Sequence, residues 1–143
     1  MAQVLKEEIR NKILIAAETI FYEKDYKRAK LTDIANKTVT SVALIYSYFK
    51  NKTSLLDEIV RGILNKIIKI MEEEEKLEVG SALERFNQGS AKYLLDILKD
   101  RIRLKILIDK SVGTKHEEAK DIWVSRLETY IEEGLKCYSN NNP

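Results

Sequence analysis

Leu56, Val60, Ile63, Ile67 and Ile70 follow one another at alternating steps of four and three residues, and Ile59, Leu64 and Met71 widen the stripe. That spacing places them all on one face of an α-helix, and no strand can present it. It predicts a long helix from Lys52 to about Glu75, capped by Asn51 and ending in the solvated run Glu72-Glu73-Glu74-Glu75. The helical period continues at both ends of the chain, and no alternating stretch interrupts it. There is no glycine before Gly62, and the one proline is residue 143. The expected fold class is therefore all-α. At 143 residues, this is one domain, or one small domain with an appendage.

Upstream, Ile9, Ile13, Ala16, Ala17, Ile20 and Phe21 predict a helix from about Val4 to Lys24, followed by a basic loop, Lys27-Arg28-Ala29-Lys30. Thr32 then reads as an N-cap, with Asp33 favourably set against the dipole of a short helix to Lys37. Ser41 is another N-cap, opening a helix from Val42 to Tyr48, and Phe49 reads as core. Downstream, Gly80 breaks the pattern, and Ser81 to Glu84 match a capping box. The helix opened there carries Leu83, Phe86, Ala91, Leu94, Leu95 and Leu98. Another lies around Ile102, Ile106 and Leu107, closed by Gly113. Thr114 to Glu117 form a second capping box, opening a helix with Ala119, Trp123, Leu127, Tyr130 and Ile131 on one side. Ser139 to Pro143 read as a polar tail.

Net charge is only +2, but it is unevenly placed. Residues 1–56 hold ten Lys/Arg against six Asp/Glu, a net of +4; residues 57–143 hold fifteen against seventeen, a net of −2. A polyanion would dock on the first third. One cysteine, Cys137, excludes a disulfide within the chain and a Cys-based zinc cluster, and reads as an incidental thiol. The one histidine, His116, sits in a capping box and is expected at the surface. With no Gly-rich phosphate loop and no carboxylates pinned across a cleft, the chain does not read as an enzyme, and no cofactor is expected. The N-terminus is charged too early for a signal peptide, and the apolar run Ile13 to Ala17 is too short for a membrane span. A cytoplasmic protein with no membrane partner is the expectation.

Three short elements in the first 56 residues have helix-turn-helix spacing, in which the last element enters the DNA major groove. The residues are Ala16-Ala17, Phe21, Tyr26, Thr32, Ile34-Ala35, Ser41, then Ala43-Leu44-Ile45-Tyr46-Ser47-Tyr48-Phe49-Lys50-Asn51-Lys52 and Leu55-Leu56. With these, residues 9 to 56 resemble the TetR (tetracycline-repressor-like) family of transcriptional regulators. The resemblance implies a three-helix DNA-binding head over 1–56, then a short helical bundle over 57–143 for ligand binding and dimerisation, shorter than is usual in the family. It implies a ligand-responsive repressor that binds a palindromic operator in double-stranded DNA as a homodimer and is released by a small-molecule effector. Phe86, Tyr93, Trp123 and Tyr130 are then aromatic candidates for a pocket lining, or ordinary core or dimer packing.

The residues expected at DNA are Arg28, Lys30, Thr32, Ser41, Val42, Ala43, Leu44, Tyr46, Ser47, Tyr48, Lys50 and Lys52. Thr32 and Ser41 offer hydroxyls at helix starts, a favourable phosphate site. Lys52 opposes the dipole of its own helix, which makes sense if a phosphate sits there; otherwise it is a solvated lysine. Tyr46 and Tyr48 offer hydroxyls, or one of them is core. Val42, Ala43 and Leu44 give no bidentate hydrogen bonds to bases, so DNA shape and backbone contacts would carry more of the recognition. Two positions depart from the family. Val39 replaces the usual turn glycine, so either the turn differs or it is strained; Asp25 replaces another. An alternative of a different class is a helical protein-interaction or ligand-binding module of the same fold that has lost specific DNA binding.

Overall fold

The computed structural model describes residues 2–76, 84 and 91–141, and among these every regular element is an α-helix. They are α1 (Ala2–Arg28), α2 (Leu31–Thr38), α3 (Val42–Tyr48), α4 (Lys52–Lys76), α5 (Ala91–Lys99), α6 (Arg101–Asp109) and α7 (Glu117–Asn141). No helix among the described residues is long and apolar enough to cross a membrane. Gly80 and most of the expected Ser81–Glu84 capping box lie outside the described residues.

The predicted stripe on α1 is buried as Ile13, Ala16, Ala17, Ile20 and Phe21. The helix proper is interrupted at Asp25, whose φ of 70° and ψ of 172° belong to a region that favours glycine. Asp25 is adapted to that position. Its carboxylate accepts the Arg28 N–H at 2.9 Å and its carbonyl accepts the Ala29 N–H at 3.0 Å, starting a last turn that carries Lys27 and Arg28. The expected basic loop is therefore half helix.

Thr32 is not the N-cap of α2. Lys30 takes that place, and Asp33, at the third helical position, reaches back to accept its N–H at 3.0 Å while pairing with Lys24 at 3.3 Å. That backbone bond, then Lys24, holds the Asp33 carboxyl below its ordinary pKa. The sequence signal failed because Asp33 caps the Lys30 N–H from the third helical position, which starts the helix at Leu31, ahead of Thr32.

The turn is left-handed at Val39 and bears strain. Val39 has φ 56° and ψ 46°; its N–H donates to Asn36 and the Thr40 N–H to Ala35, the paired bonds that close a helix through a left-handed residue. Its side chain is 92% exposed, so no packing offsets the strain. Val39→Gly should raise stability by about 1 kcal/mol, the relief of left-handed strain less the added entropy of the unfolded glycine. A thermal melt would show this as a rise of about 4 °C. A fall in melting temperature would mean that the turn is not strained.

Ser41 caps α3 as expected, its Oγ accepting the Leu44 N–H at 3.1 Å, and Asn51 caps α4 through the Ser54 N–H at 2.8 Å. α3 buries Ile45, and Phe49 follows it into the core. α4 buries Leu55, Leu56, Ile59, Val60, Ile63 and Ile67, which join Ile97 of α5 and Ile106 and Leu107 of α6 in one core. Each fully buried aliphatic side chain is worth about 1.5–3 kcal/mol. α1 packs against α2, α4 and α6, so the C-terminal helices touch the head directly. Glu18 and Arg103 join α1 to α6 at 3.3 Å.

Three expectations for the C-terminal part are corrected. On α5 Ile97 is buried, while Leu95 and Leu98 are more than half exposed; the side chains of Ala91 and Leu94 lie outside the described residues. In the second capping box Glu117 accepts the N–H of Gly113, not of Thr114, and α7 starts only at Glu117. α7 also runs on through Ser139 to Asn141, where a tail was expected. Its Ala119 and Trp123 are half-buried against the core; the side chains of Leu127, Tyr130 and Ile131 lie outside the described residues.

His116 is the largest departure. Its side chain is 8% exposed, and Nε2 lies 2.6 Å from Asp57 Oδ1, while Lys115 Nζ lies 3.1 Å from Oδ2. Partial burial alone would raise the Asp57 pKa; the hydrogen bonds from His116 and Lys115 outweigh it and hold the carboxyl below its ordinary value. The stability this adds is complete above the ordinary carboxylate pKa and is lost as pH falls through the lowered one.

Candidate nucleic-acid interface

The twelve residues expected at DNA divide into three groups in the structure, with Lys52 standing apart from all of them. α3 turns one face outward. Ala43, Tyr46 and Ser47 are exposed on it, with Ser41 at its start and Lys50 just beyond its end. Their three- and four-residue spacing makes them a single surface. Tyr46 is 54% exposed, so its hydroxyl is free to meet a phosphate. Ser47 Oγ instead donates to the Leu44 carbonyl.

The opposite face anchors the helix. Val42 and Tyr48 are half-buried against the core beside Ile45 and Phe49, and Leu44 is half-buried. Of the two tyrosines, Tyr48 is the one that packs. Anchoring fixes the tilt of α3, which any base contact made from the outer face would require.

Arg28, Lys30 and Thr32 are exposed where α1 ends and α2 begins. Arg28, Lys30 and Lys50 form no ion pair with any described residue. Lys37, which the sequence reading did not include, is also exposed and unpaired in the last turn of α2. Its signal was present in the sequence, a cation just before the turn. Other cations of the head are committed elsewhere, Arg10 to Glu58 and Lys24 to Asp33.

Lys52 is neither solvated nor dipole-opposed without compensation. Its ammonium donates to the carbonyls of Tyr26 at 2.7 Å and Ala29 at 3.1 Å, and lies 4.1 Å from the centre of the Tyr26 ring. The terminal carbonyls of α1 thus supply the negative partner that the N-terminus of α4 lacks. Tyr26 shares a hydrogen bond of 2.7 Å with Thr53 and donates its N–H to the Lys110 carbonyl at 2.8 Å. One ammonium donor of Lys52 is left uncommitted.

Of the aromatic residues expected to line a pocket, Trp123 packs half-buried on the core. Phe86 lies outside the described residues, as do the side chains of Tyr93 and Tyr130.

Residues 13–59 match the family described as bacterial regulatory proteins, tetR family. No curated protein matches the chain. Among solved structures, native NalD, the secondary repressor of the MexAB-OprM multidrug efflux pump in Pseudomonas aeruginosa, is 24% identical with a TM-score of 0.55, over 89% of this chain and 64% of that one. A second NalD structure is 23% identical with a TM-score of 0.49, over 90% and 63%. MexZ, a key repressor responsible for antibiotic resistance in the same organism, is 22% identical with a TM-score of 0.51, over 94% and 67%. The likeness is one of fold, and the chain spans about two thirds of the length of these neighbours.

Proposed function

We propose, from the match of residues 13–59 to the tetR family of bacterial regulatory proteins, that the chain is a transcriptional repressor whose head sits on double-stranded DNA. The observation that carries this reading is the outward face of α3, where Ala43, Tyr46, Ser47 and Lys50 stand exposed on an anchored helix. Arg28, Lys30 and Lys37 flank it with unpaired charge. These groups suit phosphate contacts, which set affinity and register, and α3 itself carries no cation to read a guanine. Recognition therefore leans on DNA shape and the backbone.

Operation as a dimer on a palindromic operator, with half-sites about 34 Å apart, and release by a small ligand among the C-terminal helices complete the reading. The neighbours named above are repressors, which supports that sign of regulation. A second reading, a protein-interaction module of the same fold, draws on one observation: Val39 presents an almost fully exposed apolar side chain at the turn.

Fluorescence anisotropy with a labelled duplex from upstream of the protein's own gene, titrated at several salt concentrations, tests the two. Tight binding that falls steeply with salt is expected. Lys50→Ala and Lys37→Ala should each weaken binding about equally on matched and scrambled duplexes and reduce the salt slope by about 1. Weak binding that does not respond to salt would move the assignment to the interaction module.

A further inference from the structure

α3, Val42–Tyr48, contains no Arg, Lys, Asn, Gln, Asp or Glu. Those are the side chains that make the strong hydrogen-bonded pairings with base edges in the major groove. The hydroxyls on its outward side are largely engaged as well. Ser47 Oγ donates to the Leu44 carbonyl, and Ser41 Oγ, at the cap, accepts the Leu44 N–H. Tyr46 extends its hydroxyl far from the helix axis, where it suits a phosphate and makes no paired contact with a base.

What the outward face offers a base is carbon. Ala43 is exposed on it, one turn before Tyr46 and Ser47. Its side chain is a single methyl, short enough for the backbone of α3 to come close to whatever covers it. Val42, Ile45, Tyr48 and Phe49 hold the opposite face in the core, so α3 is not free to roll and present another residue.

Charge rims this apolar spot. Lys37 stands just before the turn and Lys50 just beyond the end of α3, with Arg28 and Lys30 where α1 meets α2. All four are exposed, and none forms an ion pair with a described residue. The fitting partner is a polyanion that is apolar where it meets Ala43. In the major groove only thymine displays a methyl group.

We propose that Ala43 is a specificity-determining residue of the head, selecting duplex DNA that places a thymine 5-methyl group against its own methyl. The inference rests on the reading of the head as DNA-binding and deepens it, adding a direct component to recognition by shape and backbone. Two methyl groups in contact are both removed from water. A cytosine or purine edge at the same place would bury a polar group against Ala43 without a partner. Discrimination therefore comes as much from what Ala43 denies other bases as from what it gives thymine.

The test is anisotropy of the full chain on the labelled upstream duplex, prepared once with thymine and once with uracil at every thymine position. The two bases pair identically with adenine and differ by the 5-methyl group alone. Affinity for the uracil duplex should be lower by about fourfold or more, the worth of burying one methyl group. A scrambled duplex should show no such difference. Ala43→Gly removes the protein's methyl, so this variant should bind the thymine duplex more weakly and no longer distinguish it from the uracil duplex. Ser47→Gly puts the same glycine on the same face and should keep the preference, which separates loss of the methyl from loosening of the helix. Far-ultraviolet circular dichroism confirms that both variants are folded. Equal affinity of the unmodified protein for the two upstream duplexes would overturn the proposal. So would a preference that persists in Ala43→Gly, which would trace it to duplex shape, or one that is lost in Ser47→Gly as well. If the unmodified protein bound neither duplex, the DNA-binding reading would fail, and this proposal with it.

Discussion

Phe21→Ala is expected to destabilise the head strongly. Phe21 is fully buried, and its ring stacks on Tyr26 with centroids 6.1 Å apart. Removing it deletes the largest of the fully buried side chains in a core shared by α1, α2, α3 and α4, and the remaining groups are held by helices that cannot all close on the gap. The loss should be about 3–5 kcal/mol, against a total stability of about 5–15 kcal/mol for a domain of ordinary size. Urea unfolding followed by circular dichroism measures it. A loss of under about 1 kcal/mol would mean that the site collapses freely and that this core does not hold the head together.

Lys52→Met should cost about 2 kcal/mol, the worth of hydrogen bonds from a charged donor to carbonyls. Methionine keeps a stem able to lie over the Tyr26 ring but leaves the carbonyls of Tyr26 and Ala29 without their ammonium. The junction of α1 with α4 then loosens, and DNA affinity should fall through geometry, with a smaller change in salt slope than Lys50→Ala produces. Unchanged stability together with a slope reduced by about 1 would show instead that Lys52 acts chiefly on phosphate. The two measurements separate a residue that builds the head from one that docks it.

The parts of the fold legible in the sequence are those whose causes are local. The α3 range Val42–Tyr48, the caps at Ser41 and Asn51, the buried stripe of α4 and the burial of Phe49 follow from side-chain period and from hydrogen bonds spanning three or four residues. The outward face of α3 was legible only in part: Ala43, Tyr46 and Ser47 do point out, but Val42, Leu44 and Tyr48, expected at DNA with them, turn toward the core. Even the strain at Val39 was half visible, because the sequence showed a β-branched residue where a turn calls for glycine. The start of α2 was not, because Asp33 reaches back to the Lys30 N–H and so starts the helix ahead of Thr32, whose hydroxyl was expected to cap it.

By itself, then, the sequence determined an all-α chain and a helix-turn-helix head, since each rests on a helix's own periodicity and ends. Only the tertiary structure decided what Lys52 and His116 do and which face of α5 is buried. Lys52 meets carbonyls of Tyr26 and Ala29 across the junction of α1 and α4, and His116, in the segment leading into α7, meets Asp57 of α4. On α5, burial of Ile97 over Leu95 and Leu98 was set by where α4 and α6 lie. A charged or amphipathic side chain carries no local mark of the partner it will find, because that partner is brought to it by the packing of other helices.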